Sequence, residues 1–90
     1  MKNIKLGPDV YKKLQSIRKK DKKLYKKVQK QLTIFQKNSR HSSLRLHRII
    51  REVKNVWSIS INKSYRMLYV DEENMYYFFD IGTHDEVYKK

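Results

Sequence analysis

Cysteine is absent from the 90-residue chain. That removes disulfides as a support for a small core, and it removes thiolate chemistry and a cysteine-ligated zinc site as functions. Long apolar runs are missing too. None approaches the roughly 20 residues of a membrane span, and the opening MKNIKLGPDVYKKLQSIRKK meets charge before a stretch of signal-peptide length develops. The expectation is a protein of the reducing cytoplasm with no membrane partner. Acidic side chains are scarce over residues 1–54, which hold 3 against 18 Lys and Arg, whereas residues 55–90 hold 6 against 4. The net charge of +13 is therefore concentrated in the first part, +15 against −2. An excess of that sign and size points to a polyanion. Lysines that only solvate helix faces explain each lysine singly but not the asymmetry. A lipid surface fits less well, because the basic helices lack a bulky Trp/Phe/Leu face. A chain this short buries one modest core, so a single domain over residues 1–90 with one compact site is expected.

What is present has two periods. Lys2 to Leu6 reads as a short first strand, and Gly7-Pro8-Asp9 as a break with proline in the first helical turn. Val10, Leu14 and Ile17 recur at helical spacing; Asp21 can cap a second start; Leu24, Val28, Leu32 and Phe35 form the stripe of a longer helix. Two amphipathic helices thus span roughly residues 8–37, with their apolar stripes buried and their lysines outward. After Asn38-Ser39 the period becomes that of strands: Leu44 and Leu46 alternate with Arg45 and His47, and Trp57, Ile59 and Ile61 with Ser58, Ser60 and Asn62. Asn62-Lys63-Ser64 is a tight turn into Tyr65–Val70, and Asp71-Glu72-Glu73-Asn74 the turn into Met75–Ile81, an apolar strand for the middle of the sheet, ended by Gly82. The predicted fold class is α+β, with two N-terminal helices packed on one face of a four- to five-stranded antiparallel sheet and the other face open.

Candidate functional residues gather after residue 44. Arg66 is a lone charge in an otherwise apolar strand, which requires either an acidic partner such as Asp80 or a phosphate to grip in bidentate fashion. His84 is a candidate acid or base by residue type and stands just past a central strand; on composition alone it is more often only a surface histidine. Asp71, Glu72 and Glu73 read as a solvated turn rather than a magnesium site. Trp57 reads as core.

The run Leu-Arg-Leu-His from Leu44, Val-Trp-Ser-Ile-Ser-Ile-Asn from Val56, Tyr-Arg-Met-Leu-Tyr from Tyr65 and the closing Gly-Thr-His-Asp-Glu-Val-Tyr from Gly82 resembles the RelE/ParE toxin superfamily, near its RelE/StbE and YafQ-like branches. The likeness covers about half the chain. It implies a RelE-like fold and a cytoplasmic toxin of a type II toxin–antitoxin system: an mRNA interferase that cuts message in the ribosomal A site and is held by a cognate antitoxin protein. By position it implies Arg66 at the scissile phosphate, His84 in the Gly-Thr-His ending, Tyr88 as the terminal aromatic and His47 near an upstream histidine. The chain lacks a histidine on the 57–66 hairpin that YafQ-like toxins carry, and lacks RelE's additional basic residues around the ending.

RNA cleavage needs a base for the 2′-hydroxyl, a cation for charge on the phosphate and an acid for the departing 5′-oxygen, all of which side chains can supply without metal or small-molecule cofactor. Arg66 can supply the cation, His84 is the best acid or base, and Tyr88 can orient the nucleotide by stacking or hydrogen-bond a phosphate oxygen. Arg45, Arg48, Arg51, Lys54 and Lys63 hold the flanking RNA backbone. The ribosome and mRNA are then partners. Two other readings stand beside this one: a ParE-like toxin that poisons gyrase by binding, against which the Gly-Thr-His ending argues, and a non-catalytic RNA- or ribosome-binding module.

Overall fold

The computed structural model describes residues 2–50 and 55–88. In chain order the elements are β1 (Asn3–Leu6), α1 (Pro8–Lys20), α2 (Lys22–Lys37), a 3-10 turn (Ser42–Leu44), β2 (His47–Ile49), β3 (Val56–Ser60), β4 (Tyr65–Asp71), β5 (Met75–Thr83) and α3 (His84–Tyr88). Pro8 opens α1 where its missing N–H costs nothing. Gly7 before it is held tightly: its N–H bonds Phe78 O at 2.8 Å, and a Cβ there would fall 2.7 Å from the Tyr77 hydroxyl. Asp21 caps α2 as expected, its carboxylate accepting from Leu24 N at 3.1 Å.

The five strands form one sheet in the order β1-β5-β4-β3-β2. Strands β2 to β5 are antiparallel throughout; Asn62 Oδ1 shapes the β3–β4 turn by accepting from Ser64 N and Tyr65 N, both at 2.8 Å. The departure from a purely antiparallel sheet is β1, which runs parallel to β5 from Asn3 opposite Met75 to Leu6 opposite Phe78. Its connection to β5 passes through both helices, which is the kind of crossover a parallel pair requires. Lys2 secures this edge by pairing with Asp71, and that bond raises its pKa. A second departure lies at Leu44. It is fully buried at the end of the 3-10 turn, and the strand expected from it begins only at His47. His41 Nδ1 accepts from Ser43 N at 3.1 Å and so favours the turn, while Arg45 closes it in the left-handed region at φ 45°.

Both helices pack on one sheet face. Val10, Leu14, Leu24, Val28 and Phe35 meet Ile59, Ile61, Met67, Tyr69, Phe78 and Ile81. Trp57, expected in the core, is half-buried against it. The Phe35 ring sits edge-on to three others, at 5.0 Å from Tyr69, 4.7 Å from Tyr76 and 5.4 Å from Phe78. Phe35→Ala is therefore expected to cost about 3–5 kcal/mol, a large part of what a domain this small holds. A urea melt of the purified variant checks this.

The opposite face is not left open along its whole length. Val87 of α3 is fully buried on Val56 and Leu68, flanked by Ile49, Val70, Phe79 and Tyr88. Gly82 lies inside β5 rather than ending it, and a Cβ there would come within 3.1 Å of Glu86, so the absent side chain is what lets α3 fold back so closely. Among the described residues no helix is long and apolar enough to cross a membrane.

Candidate functional site

The register of β3 against its neighbours sets the site. Ser60 lies opposite Arg66, and Ser58 lies opposite Leu68 on one side and His47 on the other. Residues from three strands, His47 to Leu68, thereby share one patch. Ser58 and Ser60 are both buried. Ser58 has become a junction: its hydroxyl oxygen accepts from Arg66 Nε at 2.5 Å and from the Tyr88 hydroxyl at 2.7 Å. Arg66 Nη2 donates further to Arg45 O at 2.7 Å and Ser58 O at 3.3 Å. The guanidinium is thus held from one side, with Nη1 making no hydrogen bond among the described residues. Asp80, the acidic partner considered for it, instead accepts from Lys13 Nζ at 3.2 Å and from Ile81 N at 2.9 Å. Gly82, opposite Arg66 on β5, presents no side chain to crowd it.

His84 begins α3, its N–H bonded to Ser64 O at 3.1 Å. The Thr83 N–H donates to Glu86 Oε1 at 2.7 Å and Glu86 N–H to Thr83 Oγ1 at 3.3 Å, a reciprocal cap that fixes the start of the helix. Those bonds with Thr83 hold the Glu86 carboxyl below its ordinary pKa. One turn on, Tyr88 meets the exposed His84 ring edge to face at 4.3 Å. His84 Nδ1 lies 3.9 Å from Asp85 Oδ1.

Two adjoining clefts share Arg45, Arg66 and His84. The first, about 460 Å³, adds Lys27, Gln31, Ser43, Ser60, Ile61, Asn62, Lys63 and Ser64; the second, about 590 Å³, adds His47, Arg48, Ile49, Ile50 and Tyr88. The four residues singled out as catalytic, His84, Arg66, Tyr88 and His47, all line the second cleft. Of the basic residues expected to hold RNA, Arg45, Arg48 and Lys63 line one cleft or the other. Arg48 also lies over the Trp57 ring, 6.0 Å from its centre. Arg51 and Lys54 fall outside the described residues. No carboxylate lines either cleft among the described residues, so an anion entering meets cations and no like charge among them.

Sequence reasoning missed Lys27, Gln31, Ser43 and the junction role of Ser58. Gln31 had a signal: it stands three residues after Val28 and four before Phe35, a polar residue on the buried stripe of α2, where Leu32 was expected and is only half-buried. Ser58 had none, because its partners come from two other elements.

The family model of the ParE-like toxin domain matches residues 22–90. Among solved structures, the E. coli DinJ-YafQ complex is similar with a TM-score of 0.81 at 16% identity, over 98% of this chain and 99% of that one. The YoeB-YefM complex from Staphylococcus aureus gives 0.76 at 19% identity, over 93% and 98%. The YoeB/ParE toxin from Agrobacterium tumefaciens gives 0.76 at 10% identity, over 91% and 98%. Among curated proteins no sequence matches.

Proposed function

The chain belongs to the ParE-like toxin domain family, and from that premise we propose that it is the toxin of a type II toxin–antitoxin pair that cleaves mRNA on the ribosome. The observation that carries this reading is the convergence of a tethered arginine, two histidines and a tyrosine on a groove lined by no carboxylate among the described residues. In the proposed reaction the 2′-oxygen attacks its own phosphorus as the bond to the 5′-oxygen breaks, leaving a 2′,3′-cyclic phosphate and a free 5′-hydroxyl. One histidine takes the 2′-proton and another group returns a proton to the 5′-oxygen; His84 and His47 are the candidates. Arg66, aligned by Ser58 and the Arg45 carbonyl, meets the charge building on the non-bridging oxygens. Tyr88 orients the nucleotide, and Arg45, Arg48 and Lys63, with Arg51 and Lys54, hold the flanking backbone.

Few acid–base groups are available, so the alignment of the 2′-hydroxyl is assigned to the ribosome, with the lysine-rich helices docking on ribosomal RNA. The two complexes named above pair their toxins with YefM and DinJ, which supports an antitoxin partner for this chain too. Its expected place is this cationic groove. The ParE-like description of the family favours one second reading, a gyrase poison that acts by binding.

One experiment separates them. Expressed without an antitoxin, the protein is expected to stop translation, and purified protein to cut mRNA on programmed ribosomes at least about 10²-fold faster than the same mRNA free in solution. Gyrase-linked DNA breaks with intact message would establish the second reading. Folded protein that leaves growth and message unaffected would remove both.

A further inference from the structure

The first cleft contains an oriented acceptor that the cleavage chemistry does not use. Gln31 is 2% exposed, yet it lines this cleft. Its Nε2 donates to Ser60 O at 2.9 Å and Ser43 O at 3.2 Å. Both acceptors are carbonyl oxygens, so the amide cannot be turned over without setting oxygen against oxygen. The remaining atom, Oε1, has no partner among the described residues. Among the described residues no side-chain oxygen in that condition is sealed from solvent, so Oε1 keeps its access, and the space Gln31 lines is the cleft. A nearly buried acceptor held this rigidly favours a ligand that brings an N–H to it.

The surroundings narrow the ligand further. Lys27 stands one turn before Gln31 on the same face of α2, and Arg45, Lys63 and Arg66 complete a cationic rim. A cleft of about 460 Å³ is within the size range of small-molecule sites. An anion carrying a planar N–H edge meets all of these requirements together, and that is a nucleotide.

We propose that this cleft is a base-reading subsite, taking a nucleotide next to the scissile phosphate, with its phosphate on the Lys27, Lys63 and Arg45 rim and Gln31 Oε1 accepting from an exocyclic amino group of the base. The assignment rests on RNA as the substrate. Its consequence is a preference among bases: cytosine offers an amino group where uracil offers a carbonyl, and a carbonyl there faces Oε1 acceptor to acceptor.

Cytidine and uridine 5′-monophosphates are matched probes, since they differ at that group. Titrated into the ¹⁵N-labelled full-length protein, the cytidine nucleotide is expected to shift the Gln31 side-chain amide signals and to bind about 3- to 10-fold more tightly than the uridine nucleotide, the worth of one hydrogen bond. Gln31→Met is expected to abolish the difference, and Lys27→Ala to weaken both nucleotides alike while preserving their ratio. Equal affinities, no binding, or shifts confined to His47, Ile50 and Tyr88 would overturn the proposal. If Gln31→Met does not fold, the wild-type ratio and shifts decide. Cleavage assays in parallel keep the two readings apart: a cytidine preference without RNA cleavage removes the nuclease and leaves the subsite, whereas cleavage with equal affinities removes the subsite alone.

Discussion

Arg66→Ala is expected to lower ribosome-dependent mRNA cleavage by about 10²–10³-fold, the usual loss when one group aimed at developing charge is removed. The fold is expected to survive. Arg66 is half-buried and its hydrogen bonds go to Ser58 and to the Arg45 carbonyl, while the larger core lies on the other sheet face. Ser58 keeps its bond from Tyr88 when the guanidinium is gone. Arg66→Lys is expected to recover little, because an ammonium lacks the planar fork that bonds Ser58 with one N–H and a phosphate with others. Single-turnover cleavage beside a urea melt checks both variants. A folded Arg66→Ala protein with wild-type cleavage would place the phosphate elsewhere, and an unfolded one would make this arginine a structural tie between β3, β4 and the turn at Arg45.

His84→Ala is expected to reduce cleavage by about 10²–10⁴-fold, the range for a lost proton-transfer group. Ribosome binding is expected to remain, since none of the basic residues is touched. The histidine also packs on the Tyr88 ring, so a loss in the alanine variant has two possible sources. His84→Phe separates them by keeping an aromatic edge at that position without a titratable nitrogen. Equal losses in the two variants assign the effect to proton transfer; recovery in the phenylalanine variant assigns it to packing of α3. Wild-type cleavage by His84→Ala would move the chemistry to His47, which lines the same cleft.

Much of this protein was legible without coordinates because it depends on near neighbours in the chain. Helix stripes, the Asp21 cap, the Asn62 turn and the alternation of β3 each express one element's own period, and local spacing records that directly. The charge asymmetry is likewise a property of composition, and it survives as a groove lined by cations alone among the described charged residues other than histidine. The likeness of the segments around Arg66 and His84 to a toxin family rested on residue identities and was met by the family match.

Other features depend on which strand lies beside which, and in what register. A slip of one residue would carry Ser58 to the helix face and separate it from Arg66 and Tyr88, with no change in the alternation that sequence displays. The parallel seat of β1 on β5, the covering of Leu68 by Val87, and the meeting of Gln31 with the carbonyls of Ser43 and Ser60 are likewise contacts between distant segments. The sequence by itself determined β1, the two long helices and strands β3 to β5, most of their inward faces and the excess of positive charge, because each is settled within a few residues. Only the tertiary structure decided which polar side chains converge on the groove and which of their atoms are already committed, because hydrogen bonds are satisfied across elements rather than along them.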